Sequence, residues 1–221
     1  MRLTVRTHGP LDAEPMVLLH GLTSDRSSFD GVVGTLSQRW RVYVPDQRGH
    51  GETGPADAYA FELLAADLDE FLEAHGLSTP VLVGHSMGAI AAYLHAARRP
   101  DRTGPLVLVE PPPPFPQRRP LPERPDGALG YDWGIRVALL GQVNAPDPSW
   151  FGELAQIRVP ALVLGGGPTS PFPQDQLRAI ADRIPRGAFE EIPVGHGIHR
   201  EAPTAFVAAL TKFLDTNGQD S

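Results

Sequence analysis

The sequence has 221 residues and contains no cysteine. That absence excludes disulfide bonds, thiolate zinc sites, iron–sulfur clusters and a cysteine nucleophile. Positive charge is scarce too, because 19 Lys and Arg stand against 26 Asp and Glu, for a net charge of −7. Nucleic acids and anionic membrane surfaces are bound mainly through clustered Lys and Arg. We therefore expect neither nucleic acid nor membrane as a partner.

Long apolar runs are also missing. No stretch approaches the roughly 18 consecutive apolar residues of a membrane-spanning helix, and no apolar run follows the basic residues near the N-terminus as in a signal peptide. A cytoplasmic location is the expectation. The sequence shows no internal repeat, and its length fits a single domain over residues 1–221. Its oligomeric state stays open.

Short apolar runs bounded by turn residues alternate with longer segments of helical periodicity. This alternation is typical of a parallel sheet covered by helices, and runs that are apolar on both faces suit its buried strands. The sequence therefore predicts an α/β fold. The predicted strands are 17–19, 42–44, 81–83, 106–109, 161–164 and 188–192. The predicted helices are 61–72, 86–99, 174–184 and 203–214.

Residues 111–151 break this alternation. Eight prolines fall within residues 111–125, and residues 111–151 hold five of the 16 aromatic residues of the chain. Proline lacks an N–H donor and disrupts helix and sheet interiors, so residues 111–125 should form neither. We interpret residues 111–151 as a short, Pro-rich lid inserted in the domain. The alternative is a surface excursion whose aromatic side chains complete the core.

The motif Gly84-His85-Ser86-Met87-Gly88 follows an apolar strand and precedes an Ala-rich helix. In that context a GxSxG pattern predicts a sharp strand-to-helix turn that raises the serine hydroxyl above the strand end. Glycine avoids collisions with the neighbouring strand and helix at the flanking positions. The helix N-terminus directs amide N–H groups at any anion formed there. Ser86 is therefore the candidate nucleophile.

A serine hydroxyl needs a neighbouring base, and histidine is best suited because its pKa lies near 6.5. His196 is favoured, since it lies between two glycines in the loop after the last predicted strand. His199 is the alternative, although it is expected to pack at the start of the last helix. The remaining histidines are less suited: His8, His50 and His75 as surface or turn residues, His85 as the neighbour of Ser86, His95 as too distant along the helix, and His20 as a structural hydrogen-bonding residue.

An oxyanion formed by attack of the serine needs two amide donors. Met87 follows the nucleophile and should supply one of them. The loop after the first predicted strand should supply the other, through the amide of Leu22. The glycine-rich turn at residues 46–51 lacks the GK[ST] ending of a phosphate loop, so it is interpreted as structural.

Taken together, these motifs resemble those of the α/β-hydrolase fold family. The resemblance extends over about residues 3–215. It implies a central, mostly parallel sheet, a Ser–His–acid triad, a two-amide oxyanion hole, no cofactor or metal, and ester-like substrates. The matching motifs are Leu19-His20-Gly21, Asp46-Gln47-Arg48-Gly49-His50-Gly51, Gly84-His85-Ser86-Met87-Gly88, residues 159–165, Gly195-His196 and Glu201-Ala202-Pro203.

The triad acid departs from the usual pattern of that family. Most relatives carry an Asp shortly after the penultimate strand, where this chain has Ser170 in a Gly- and Pro-rich loop. Some relatives take the acid from the end of the preceding strand, which is Glu110 here. Glu110 is therefore the favoured acid. The alternatives are Asp126, Asp132 or Asp175, or a Ser–His dyad with no acid.

These residues favour a serine hydrolase that cleaves a carboxylic ester, lactone or thioester of a small to medium organic substrate through an acyl-enzyme. Two other functions stay open on the same scaffold. One is acyl-transfer, lyase or cyclisation chemistry of specialised metabolism. The other is a catalytically silent ligand-binding protein, which the missing usual acid keeps under consideration.

Overall fold

The computed structural model describes residues 1–217, which form a seven-stranded sheet with helices on both faces. The strand order is β1-β3-β2-β4-β5-β6-β7; β1 runs antiparallel to β3, and all other neighbours are parallel. The strands are β1 Val5–His8, β2 Pro15–Leu19, β3 Arg41–Pro45, β4 Val81–His85, β5 Leu106–Val109, β6 Ala161–Gly165 and β7 Gly187–Glu191. The α/β-hydrolase fold predicted from the sequence is confirmed.

The helices cover the sheet in two layers, each with its own apolar cluster. One layer contains α2, α3, α4 and α6, and the other contains α1 and α8. Helix α3 is buried along almost its whole length, because its alanines let it lie close against the strands. The helices are α1 Asp30–Leu36, α2 Phe61–Ala74, α3 Met87–Arg98, α4 Trp133–Asn144, α5 Ser149–Glu153, α6 Gln174–Arg183, α7 Ile198–Glu201 and α8 Pro203–Asn217.

All six predicted strands and all four predicted helices are present, but five further elements were not predicted. Strand β1 lies at the sheet edge and is polar and partly exposed, so it lacks the apolar run of a central strand. Helix α1 contains two glycines, which disfavour a helix, and it is stabilised by packing three buried apolar side chains. The others, α4, α5 and α7, are short or weakly periodic.

Residues 111–125 contain no helix or strand, as the prolines predict. The rest of residues 111–151 is more ordered than expected, since it forms α4 and α5. Backbone hydrogen bonds join the start of this part to the turn at residues 46–51, from Gly51 to Gly130 and from Asp132 to Gly49. Trp150 is buried edge-on against Phe61 of α2.

Candidate active site

The turn between β4 and α3 has the geometry that the GxSxG motif predicts. Ser86 has φ 51° and ψ −114°, in the left-handed half of conformational space, where a non-glycine residue is strained. A Cβ atom on Gly84 would lie 2.4 Å from the carbonyl oxygen of Gly88, and one on Gly88 would lie 2.4 Å from that of Leu19. Only glycine fits at either position. Strand, turn and helix therefore hold Ser86 at the carboxyl edge of the sheet.

The loop after β2 borders this turn directly. A Cβ atom on Gly21 would lie 3.3 Å from Cβ of Ser86, so the next amide, that of Leu22, is close to the nucleophile position. The hydrogen bonds among residues 1–217 include none donated by the Leu22 amide. Met87 begins α3, where the first N–H groups have no intrahelical acceptor. Neither amide therefore has a hydrogen-bond acceptor among the described residues.

Glu110 follows β5 and is fully buried, with φ 50°. Its Oε1 accepts a hydrogen bond of 2.5 Å from the amide of Gly166, and its Oε2 accepts one of 2.5 Å from the hydroxyl of Ser170. Oε2 also lies 3.1 Å from Nδ1 of His196. The carboxylate therefore contacts the imidazole from the neighbouring strand end. Ser170, at the usual position of the acid, donates to the carboxylate instead of replacing it.

The three alternative carboxylates lie elsewhere. Asp132 is the N-cap of α4 and accepts hydrogen bonds from the Tyr59 hydroxyl at 2.6 Å and the Gly134 amide at 2.8 Å, which lower the pKa of Asp132. Asp126 and Asp175 are exposed, in coil and in the first turn of α6. In the part of the chain that the structure describes, Glu110 is the only carboxylate hydrogen-bonded to the imidazole of His196.

The loop that carries His196 is fixed by backbone contacts. The amide of Gly195 donates to the carbonyl of Gly166 at 2.8 Å, and Gly195 has φ 84°, which favours glycine. His85 Nε2 donates to the carbonyl of His196 at 2.9 Å. His196 and Ser86 line the same cavity, although no hydrogen bond joins their side chains in the described structure. In enzymes without bound substrate, the hydrogen bond between a nucleophile and its base is often long or poorly aligned.

Two buried histidines join the loop after β2 to the turn at residues 46–51. His20 accepts a hydrogen bond of 3.0 Å from the amide of Gln47, as a structural residue would, and His50 accepts one of 3.2 Å from the amide of Thr23. Burial lowers the pKa of His20 to about 4 and that of His50 to about 3, so both are neutral. His50 was expected to be a surface or turn residue; it lies in the turn, but its side chain is fully buried, and its ring is hydrogen-bonded to Thr23 of the loop after β2.

His199 does not face the cavity. It is buried in α7 against the rings of Phe29 at 4.6 Å and His85 at 4.6 Å, with both ring nitrogens lacking a partner among the described residues. Burial lowers the pKa of His199 to about 3. The predicted packing role fits these contacts.

The cavity that contains Ser86 and His196 has a volume of about 90 Å³, small beside the roughly 300–1,000 Å³ of pockets for drug-sized ligands. We call strands β2, β4, β5, β6 and β7, the loops that follow them, the start of α3 and α7 the floor of this cavity, and residues 111–151 its cover. The cover contributes Pro112, Arg119, Leu139, Leu140 and Val143 to the lining. A larger open groove of about 930 Å³ along β1 and α2 contains neither Ser86 nor His196.

Within residues 1–217 no three His, Asp or Glu side chains are grouped to hold a metal ion. Nor does that part of the chain contain a helix both long and apolar enough to cross a membrane.

Comparison with known proteins identifies the family. The model of the alpha/beta hydrolase family matches residues 16–210, and the chain therefore belongs to that family, a family of hydrolases. The mouse sn-1-specific diacylglycerol lipase ABHD11 is 28% identical over 90% of this chain and 80% of its own length. N-formylmaleamate deformylase from Pseudomonas putida is 38% identical over 65% of this chain and 54% of its own length. A crystal structure of a hydrolase from Pseudomonas aeruginosa PA01 superposes with a TM-score of 0.84 at 22% identity, covering 96% of this chain and 94% of that one.

Several site residues gave no recognisable signal in the sequence. Gly166 and Ser170 contact Glu110 from 56 and 60 residues away, so only the folded chain shows them as its partners. Arg119 and Phe172 line the cavity as well, but neither belongs to a motif. The only sequence signal for these partners was Ser170, at the position where most relatives have the acid.

Proposed function

We propose that this protein is a serine hydrolase that cleaves a carboxylic ester, lactone or thioester of a small organic substrate through an acyl-enzyme. The observation that carries the proposal is the 3.1 Å contact between Glu110 and Nδ1 of His196, on a cavity that also contains Ser86. The diacylglycerol lipase and deformylase relatives support a hydrolase of ester-type bonds. Ser86, His196 and Glu110 are the proposed triad.

In the first half-reaction the Ser86 hydroxyl attacks the acyl carbon while Nε2 of His196 takes its proton. The carbonyl oxygen becomes an oxyanion, which accepts hydrogen bonds from the Leu22 and Met87 amides. Collapse of this intermediate breaks the bond to the leaving alcohol or thiol. His196 returns the proton to that leaving group, and the acyl group stays on Ser86.

In the second half-reaction water attacks the acyl-enzyme, with His196 again taking a proton. The same two amides bind the second oxyanion. Its collapse releases the carboxylic acid and restores the Ser86 hydroxyl. Glu110 holds the tautomer with hydrogen on Nδ1 and stabilises the imidazolium in both halves.

The size and lining of the cavity support a small acyl group. A volume of about 90 Å³ has no room for a long lipid chain. The cover contributes three apolar side chains of α4, which would exclude water from a bound ester. We propose that residues 111–151 act as a short lid over the site.

The test compares Ser86→Ala with Ser78→Ala, a matched change at an exposed serine. Ser86→Ala should abolish turnover of 4-nitrophenyl acetate while Ser78→Ala keeps it, and the two should unfold at similar temperatures. A fluorophosphonate probe should label the wild-type protein at Ser86. Retained turnover in Ser86→Ala would refute the mechanism, and a folded wild-type protein that neither turns over nor takes the label would favour the ligand-binding alternative.

A further inference from the structure

The cavity lining is apolar except for the catalytic pair and one cation, Arg119 of the cover. A guanidinium beside an otherwise apolar acyl-binding site is not required by the proposed hydrolysis. Its presence therefore bears on which substrate the site accepts.

Several contacts hold Arg119 in place. The side chain of Asn144, at the end of α4, accepts a hydrogen bond from the Arg119 amide at 2.9 Å and donates one to its carbonyl at 2.8 Å. The guanidinium lies 4.3 Å from the ring centre of Phe172, and its Nη2 donates to the carbonyl of Pro171 at 2.9 Å. Because backbone and side chain are both fixed, little conformational entropy would be lost when a ligand binds to the guanidinium.

The guanidinium has unused hydrogen-bonding capacity. It carries five N–H donors, and in residues 1–217 the only protein acceptor bonded to them is the carbonyl of Pro171. No carboxylate of the described residues lies within ion-pair distance of it, whereas the buried Arg26 and Arg48 pair with Asp46 and Asp67. Burial lowers the pKa of Arg119, while the charge of Glu110 opposes that shift.

Glu110 cannot serve as the full partner of this cation. Its two oxygens already contact the Gly166 amide, the Ser170 hydroxyl and the His196 ring. The ring of Phe172 contacts both the imidazole of His196, at 5.4 Å between ring centres, and the guanidinium of Arg119, at 4.3 Å. An anion entering the cavity would therefore meet a positioned cation with free donors.

We propose that Arg119 binds a carboxylate of the substrate, so that the enzyme acts on esters, lactones or thioesters whose short acyl part carries a second, free carboxylate. A planar guanidinium pairs with a carboxylate through two parallel N–H···O bonds, which fixes the orientation of the acyl group. The small cavity restricts the distance between the reacting carbonyl and the free carboxylate to a few carbons. This inference depends on the proposed hydrolase function.

The test uses two phenyl esters of equal chain length, phenyl hydrogen glutarate, which is anionic at pH 7, and phenyl pentanoate, which is neutral. The readout is the ratio of their kcat/KM values. The wild-type enzyme should prefer the glutarate ester by about tenfold or more, the range expected of a charge-assisted hydrogen bond. Arg119→Gln should lower the ratio at least tenfold, mainly through KM for the glutarate ester, and Arg119→Lys should recover part of it.

Arg118→Gln is the matched control, because Arg118 is the exposed neighbour of Arg119 and carries the same charge. It should leave the ratio within about twofold of wild type, since a change in net charge alone has little effect at physiological salt. If Arg119 only held the cover, Arg119→Gln would slow both esters equally. An unchanged ratio, or a wild-type ratio near one, would overturn the inference.

Inhibition of the wild-type enzyme tests the same site without a variant. Glutarate should inhibit phenyl pentanoate turnover with a Ki at least tenfold below that of neutral glutaramide, and equal Ki values would contradict the inference. Failure of the underlying function is distinguished by Ser86→Ala. If that variant still hydrolyses the neutral ester, the mechanism is wrong, whereas a serine-dependent enzyme with no preference for the anionic ester refutes only the role of Arg119.

Discussion

The floor and the cover meet at one cavity, but they are held in different ways. In the floor, backbone packs directly on backbone: Gly88 touches Leu19, and Gly166 touches Gly195. The cover is joined to its surroundings by two backbone hydrogen bonds, at Gly130 and Asp132, and otherwise by side-chain contacts such as the hydrogen bond of 2.6 Å from Tyr59 to Asp132. Backbone contacts tolerate almost no change of residue, whereas side-chain contacts allow many. This difference suits the proposed function, in which the floor carries the reaction and the cover selects the substrate.

Backbone strain follows the same division. Two of the three non-glycine residues with positive φ in the described chain are Ser86 and Glu110, each directly after a strand of the floor. Such conformations cost about 1–3 kcal/mol each and persist where surrounding structure fixes them. No non-glycine residue of the cover has positive φ. The strain therefore lies where two of the proposed catalytic side chains must be aimed.

The largest effect is expected from Glu110→Gln. Loss of the carboxylate removes the acceptor that fixes the His196 tautomer, and by analogy with other triads kcat should fall by about 10³–10⁴-fold with little change in KM. Asp132→Asn, a change of the same kind in the cover, should alter kcat by less than threefold. Steady-state kinetics with 4-nitrophenyl acetate measures both. A loss below tenfold in Glu110→Gln would leave the working dyad as the better description.

A pair of glycine substitutions sharpens the contrast in packing. Gly88→Ala places a Cβ atom 2.4 Å from the Leu19 carbonyl oxygen, so the unfolding free energy should fall by about 3 kcal/mol or more. Gly141→Ala, at an exposed position of α4 with no atom within 4 Å of the new Cβ, should raise the unfolding free energy by about 0.5–1 kcal/mol. Urea unfolding of the two variants and of the wild-type protein measures these changes in unfolding free energy. Equal effects would show that the floor is no more tightly constrained than the cover.

The floor was more predictable than the cover for the same physical reason. Its strands are short apolar runs, and the turn between β4 and α3 needs glycines at fixed spacing. Both features leave a local signal in the sequence. Glu110 was found through its place at a strand end. The only sign that the acid lies after the preceding strand was the absence of an Asp at the position of Ser170. His50 was expected to be a surface or turn residue, and its burial within the turn left no signal in the sequence. Its hydrogen-bond partner Thr23 lies 27 residues away.

The cover left weaker signals. Helix α4 follows a Pro-rich segment, contains Gly134 and Gly141, and buries only Ile135 and Leu139, so no periodic apolar stripe marks it. The position of Arg119 depends on Asn144 and Phe172, 25 and 53 residues further along the chain. Contacts of that kind arise only when the chain is folded. Residue types alone could indicate an insertion here, but not which of its side chains line the cavity.

The smallest predicted effect concerns the loss of folding stability at acidic pH. His20, His50, His85 and His199 of the floor and its adjoining turn are buried with lowered pKa values, while the cover contains no histidine. Each such histidine binds its proton more readily when unfolded, at a pKa near 6.5. Its contribution to stability is therefore complete above pH 6.5 and is lost as the pH falls towards the folded pKa.

His199→Phe tests this acid sensitivity at a floor residue that does not line the cavity. Phe fits among the rings of Phe29, His85 and Phe206 and removes two buried nitrogens that lack partners in the described structure. Between pH 7 and pH 5 one buried histidine accounts for about 2 kcal/mol of lost unfolding free energy, so the variant should lose about 2 kcal/mol less than wild type on urea unfolding at the two pH values. His8→Gln, on the half-exposed edge strand, should lose as much as wild type. If His199→Phe showed the wild-type loss, acid sensitivity would have to arise outside the packed histidines of the floor.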